Sequence, residues 1–124
     1  MTRLRKKKNA GFTLIEIMIV VLIIAILLAI AIPNFLRARE TSRAKSCMAN
    51  MRQIETAKEQ WAMDTKAAAT DTPTATDLVD EYMRGTPDTL PGCPSSGAYT
   101  VGDMSTRPVC SIGAQNGYDD HVLP

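Results

Sequence analysis

The sequence predicts an α+β chain: one long N-terminal helix whose second half packs against a small, disulfide-stapled C-terminal head carrying a short hairpin. Three observations carry this. From Ile17 to Ile32 sixteen apolar residues follow without a break, and from Phe12 the segment has the length of about twenty residues that crosses the hydrocarbon core of a bilayer. From Asn34 to about Thr65 there is no glycine or proline, and Ala, Arg, Lys, Glu, Gln and Met, all good helix formers, recur throughout. Beyond Lys66 the chain becomes rich in Pro, Gly, Thr and Ser, and Cys93 and Cys110 flank a hairpin-like stretch.

Taken in order, residues 1–11 form a basic leader with Arg3, Arg5, Lys6, Lys7 and Lys8 and no acid. The remaining nine Lys/Arg face thirteen Asp/Glu, so the chain from Phe12 onward is net −4, which argues against a dedicated nucleic-acid binder. The positive-inside rule puts the leader in the cytoplasm, although Arg37, Arg39, Arg43 and Lys45 flank the other end of the span. A conventional secretory signal starts in the same way, and Ala29-Ile30-Ala31 resembles its cleavage site. However, the apolar run is longer than the usual h-region, and it contains Glu16. A plain anchor leaves Glu16 unexplained, because a carboxylate within an apolar span is costly without a partner.

Gly11-Phe12-Thr13-Leu14-Ile15-Glu16, with the basic leader before it and the apolar run and Pro33 behind it, resembles the N-terminal signature of type IV pilins and type II secretion pseudopilins. The likeness is close over residues 6–45 and beyond that is one of architecture alone. It implies that a prepilin peptidase cuts between Gly11 and Phe12 and that Phe12 becomes N-methylated. It further implies a homo-oligomeric filament, with an assembly ATPase and an inner-membrane platform protein as partners. The chain is then a single-pass protein of the bacterial inner membrane before assembly, its head outside the cytoplasm, and a periplasmic or cell-surface filament afterwards.

The residues support this on physical grounds. Glycine at the cut offers bare backbone to a protease and is a poor helix former. After cleavage Phe12 carries an ammonium group, and Glu16 lies one turn later, where the helix dipole favours an anion. Among parallel helices Glu16 of one subunit meets the Phe12 ammonium of a neighbour, a pairing that is strong in a low dielectric. Glu16 is therefore read as an assembly and register residue, with no catalytic role.

The segments follow from this: 1–11 the leader, removed; 12–32 the transmembrane and assembly helix; 33–65 its continuation; 66–124 the head. Pro33 removes one backbone hydrogen bond and is read as a kink. Met51, Ile54, Ala57 and Trp61, with Cys47 and Met48 upstream, form an apolar stripe at helical spacing that seats the head. The basic cluster at 37–45 is read as a solvated face, a headgroup contact, or a source of salt bridges with Glu40, Glu55 or Glu59 of neighbouring subunits. In the head, Thr76 or Asp77 caps a short helix ended by Gly85, and Pro87, Pro91 and Pro94 force loop. Two strands are expected, from Ala98 to Val101 and from Arg107 to Ile112, with Tyr99 and Val101 facing the stripe.

Cys93 and Cys110 are read as a disulfide, whose loop of about sixteen residues contributes about 3 kcal/mol in the chain-entropy model. As zinc ligands they need two further partners, and only His121 is offered. Cys47 is left as a small buried hydrophobe. No metal site is assigned and no cofactor is expected. Asp119 and Asp120 in the C-terminal loop invite comparison with the calcium-binding loop of secretion pseudopilins, but no established ligand pattern is present. An enzyme is not expected: the sole histidine is His121, and no nucleophile elbow or phosphate-binding loop occurs. The reading is a structural filament subunit serving type II-like protein secretion. The alternatives are a type IV pilus subunit for adhesion, motility or DNA uptake, and a membrane-anchored periplasmic binding module that does not polymerise.

Overall fold

The computed structural model describes residues 10–83, 89–113 and 121–124. The basic residues of the leader, Gly85, Pro87 and the aspartates of the suggested calcium loop lie outside them. The chain divides into two compact units, one ending at Leu36 and the other starting at Arg37. Helix α1 (Leu14–Thr65) contributes to both.

In the first unit α1 opens two residues later than Phe12, because Thr13 serves as its N-cap. Glu16 Oε2 accepts from the Thr13 backbone N–H (2.8 Å) and hydroxyl (2.9 Å), while the Thr13 hydroxyl accepts from Glu16 N–H (3.4 Å). This reciprocal exchange is a capping box. Helix α1 is long and apolar enough to cross a membrane, with a mean hydropathy of 3.3 in its most apolar window. Its large apolar side chains between Leu14 and Leu36 are 48% to 77% exposed. They point outward on every side, and none of the described residues covers them. The helix continues through Pro33, and the Asn34 amide donates to the Ile30 carbonyl at 3.3 Å.

In the second unit one face of α1 is covered. Ala44, Cys47, Met51, Ile54, Ala57 and Lys58 are buried at steps of three and four, the spacing of one helical face. The expected stripe is therefore the core, and it carries a lysine that the apolar pattern did not include. The core forms two clusters: Cys47, Met51, Cys93 and Cys110, and Ile54, Ala57 and Leu78. Tyr99 packs against both and Val101 against the second, as their placement in the first strand implied.

Helix α1 ends at Thr65, and Lys66 takes a left-handed φ of 52° that lets the chain leave the helix without a glycine. Helix α2 (Ala75–Val79) is capped by Thr74, in place of the expected Thr76 or Asp77; Asp77 is instead the returning partner of a second capping box. The two strands are shorter than expected. β1 (Tyr99–Thr100) pairs antiparallel with β2 (Val109–Cys110), Tyr99 opposite Cys110 and Thr100 opposite Val109.

The connection explains why the strands stop. Pro108 has no N–H to give to a ladder. Asp103 folds the connection into a tight turn, its carboxylate accepting from the backbone N–H groups of Ser105 (3.0 Å) and Thr106 (2.8 Å) and from both hydroxyls. The carbonyls of Val101, Asp103 and Thr106 are directed to the Lys58 ammonium, at 2.8, 2.7 and 2.7 Å. Arg107 pairs with Glu55 at 3.2 Å and Arg43 with Glu40 at 3.1 Å. Glu55 and Glu40 thus each have an ion-pair partner within the chain.

Candidate functional site

Two places combine unusual residues with defined geometry. The first is the start of α1. Gly11 and Phe12 lie just ahead of the helix and are exposed. A Cβ at Gly11 would meet no atom within 4 Å, so packing among the described residues does not call for glycine there. The Thr13–Glu16 capping box then holds the carboxylate at the N-terminal end of the helix dipole, where an anion is favoured. Glu16 therefore has partners inside its own chain. The T-x-x-E spacing that signals this is present in the sequence at Thr13–Glu16.

The second place is the sulfur cluster of the head. The disulfide expected between Cys93 and Cys110 is not formed: their Sγ atoms are 3.8 Å apart, and all three cysteines are free thiols. What the sequence did not reveal is that Cys47 and His121 join them. The ligand atoms of Cys47, Cys93, Cys110 and His121 all lie within 4.8 Å of one another, and Cys93 Sγ is 3.7 Å from His121 Nδ1. Each comes from a different part of the head. Cys47 is on α1, Cys93 in the loop before β1, Cys110 on β2 and His121 in the C-terminal segment. His121 is held by its backbone N–H, which donates to the Gly113 carbonyl at 3.0 Å.

The cluster shapes its own electrostatics. Burial pushes the Cys47 thiol up to about 12. Burial also works to raise Cys93, but hydrogen bonds from the backbone of Ser95 and Gly97 and from the neighbouring thiols outweigh it and leave Cys93 lowered. Tyr99 is raised, first by burial and then by its bond with Cys47. Burial lowers the Lys58 ammonium, while the carboxylates of Asp103 and Glu55 oppose it. Lys58 fastens the hairpin connection to α1 and takes no part in the cluster.

Comparison with known proteins bears on both units. A family described as the prokaryotic N-terminal methylation motif matches residues 6–32. The chain is 48% identical to the type IV major pilin protein of Myxococcus xanthus over 54 residues, 44% of this chain and 24% of that protein. It is 28% identical to the type II secretion system core protein G of Aeromonas hydrophila over 61 residues, 49% of this chain and 43% of the relative. The chain thus spans less than half the length of these two relatives. With the type IV wide pilus major component of Thermus thermophilus the identity is 30% over 111 residues, 89% of this chain and 77% of the relative. No solved structure matches. A methylation motif at the start of α1, with a likeness to a pilus component that runs on through the head, shows that this chain belongs to the type IV pilin family, to which the secretion pseudopilins are related.

Proposed function

We propose that the chain is a filament subunit that is cut between Gly11 and Phe12, N-methylated on Phe12, and polymerised through the helix of residues 12–32. The observation that carries this is the exposure of the whole apolar surface from Leu14 to Leu36 behind an exposed Gly11-Phe12. Such a surface needs lipid or the helices of other copies. Helices passing from bilayer to filament exchange one apolar environment for another, so packing and polar pairing supply the specificity. In this reading Glu16 exchanges its Thr13 partner for the Phe12 ammonium of a neighbour, and Pro33 is where the helix loosens in the filament. The glycine requirement is then external, set by the peptidase, since nothing among the described residues crowds Gly11.

The likeness to the Thermus pilus component, which extends into the head, supports a surface pilus. The Aeromonas likeness supports the secretion filament as the second reading, in which an assembly ATPase and a platform protein drive the same polymerisation. Intact-mass measurement of the chain from its native membrane tests the proposal. The expected species lacks residues 1–11 and carries one added methyl group. A full-length, unmethylated chain in assembled material would overturn it.

A further inference from the structure

The four clustered side chains of the head are spaced like the corners of a metal site. An ion holding sulfur at about 2.3 Å and nitrogen at about 2.0–2.1 Å in a tetrahedron sets sulfur–sulfur edges of about 3.8 Å and sulfur–nitrogen edges of about 3.6 Å. The Cys93–Cys110 and Cys93–His121 separations are 3.8 and 3.7 Å, and every pair lies within 4.8 Å. We propose that Cys47, Cys93, Cys110 and His121 bind one zinc ion as a closed structural site.

Donor chemistry selects the metal, because three thiolates and one imidazole in a tetrahedron suit zinc. All four corners come from the protein, so no position is open for substrate, and the role is structural. Binding displaces three thiol protons to solvent and leaves a centre of net charge −1. The backbone N–H groups of Ser95 and Gly97 that bond Cys93 partly neutralise that charge, as outer hydrogen bonds to metal ligands do. Gly97 also keeps space for the site: a Cβ there would sit 2.6 Å from Cys110 Sγ.

Two other uses of these residues fit less well. A disulfide takes two of the sulfurs and leaves the third thiol and the imidazole buried beside it without a task. A thiol nucleophile paired with His121 needs access to substrate, yet Cys47, Cys93, Cys110 and His121 are 0%, 8%, 5% and 3% exposed. The site instead ties α1, the loop before β1, β2 and the C-terminal segment together at one point, in a head whose small core needs such a staple.

The test uses the full chain purified in detergent with zinc supplied. Metal analysis is expected to find one zinc per chain. Alkylation is expected to leave all three cysteines unmodified until a chelator is added, and to modify all three afterwards. A chain two hydrogens lighter with one alkylatable cysteine, chelator or not, would show a disulfide and overturn the proposal; so would three thiols that react freely with zinc present. Cobalt in place of zinc is expected to give the visible bands of a tetrahedral thiolate site. His121→Cys is expected to retain one metal and strengthen the thiolate-to-cobalt charge-transfer band, whereas a folded, metal-loaded His121→Cys chain whose cobalt spectrum matches that of the unaltered chain would remove His121 from the site. If that variant does not fold, the cobalt spectrum of the unaltered chain decides: absence of those bands overturns the site.

Discussion

The two halves of α1 are built from the same helical backbone and solve the same problem in opposite ways. From Leu14 to Leu36 apolar side chains surround the helix and are left exposed. From Arg37 onward the buried apolar residues of α1 keep to one stripe, and α2, the hairpin and the loops of the same chain cover it. Each half also carries a charge in an awkward place. Glu16 is met by the cap of its own helix, and Lys58, buried in the head, by three carbonyls of the hairpin connection. The contrast teaches where each half finds its partner. The first half is left uncovered by the other described residues, and its charge is held by a local exchange within one helical turn. The second half is complete in itself, and its charge is locked by contacts more than forty residues away in sequence.

That contrast can be broken from either side. The largest effect is expected from Glu16→Ala, which leaves the head folded and membrane insertion intact. It should abolish or nearly abolish filaments seen by electron microscopy; filaments at the normal level would remove the register role. Met51→Ala or Ile54→Ala should do the reverse. Both side chains are fully buried, and such truncations cost about 2–5 kcal/mol. Thermal or denaturant unfolding of the head should show that loss, while trimming after Gly11 proceeds as before.

Lys58→Met should destabilise the head by about 2 kcal/mol. Three charge-assisted hydrogen bonds are lost, and the Val101 and Thr106 carbonyls lose their ammonium partner while that of Asp103 keeps the N–H and hydroxyl of Thr106; relief from burying an ammonium offsets part of the cost. A Lys58→Met head as stable as the parent would mean that the carbonyls find water instead. Thr74→Ala removes the α2 cap and should cost about 1 kcal/mol, with faster amide exchange in α2 and little change around the cysteines.

The smallest effect is a pH dependence. Hydrogen bonds from Ser105 and Thr106 hold the Asp103 carboxyl below its usual value, and those from Thr74 do the same for Asp77. A carboxyl depressed in the folded state binds fewer protons there than in the unfolded chain. Its contribution is therefore complete above the unfolded value of about 3.9 and fades as pH falls further, through the folded value. Melting temperatures of the head should drop below about pH 4, and Asp103→Asn should flatten that slope. A slope unchanged by Asp103→Asn would assign it elsewhere.

How much of this was legible depended on the range of the interaction. The helix, its apolar span and the Met51–Ile54–Ala57–Trp61 stripe follow from composition and periodicity, which act over a few residues. The capping boxes at Thr13–Glu16 and Thr74–Asp77 were equally local, and their T-x-x-E and T-x-x-D spacings were there to be read. Lys58 was not legible, because its role depends on where three distant carbonyls point. The gathering of the cysteines with His121 was not legible for a related reason. Cys93 and Cys110 are near each other in sequence and suggest a pair, whereas Cys47 and His121 stand 46 residues before Cys93 and 11 after Cys110. No close-spaced ligand pair marks the set.

By itself, then, the sequence determined the long helix, its division into an apolar half and a striped half, and the processing signature at Gly11-Phe12. Each of these is set by side-chain chemistry over one or two turns. Only the tertiary structure decided that the hairpin shortens around Lys58 and Asp103, that Glu55 is engaged by Arg107, and that three thiols and one imidazole meet at a point. Those outcomes depend on loops returning to α1 from far along the chain, and the free energy that selects them comes from burying groups that sequence distance keeps apart.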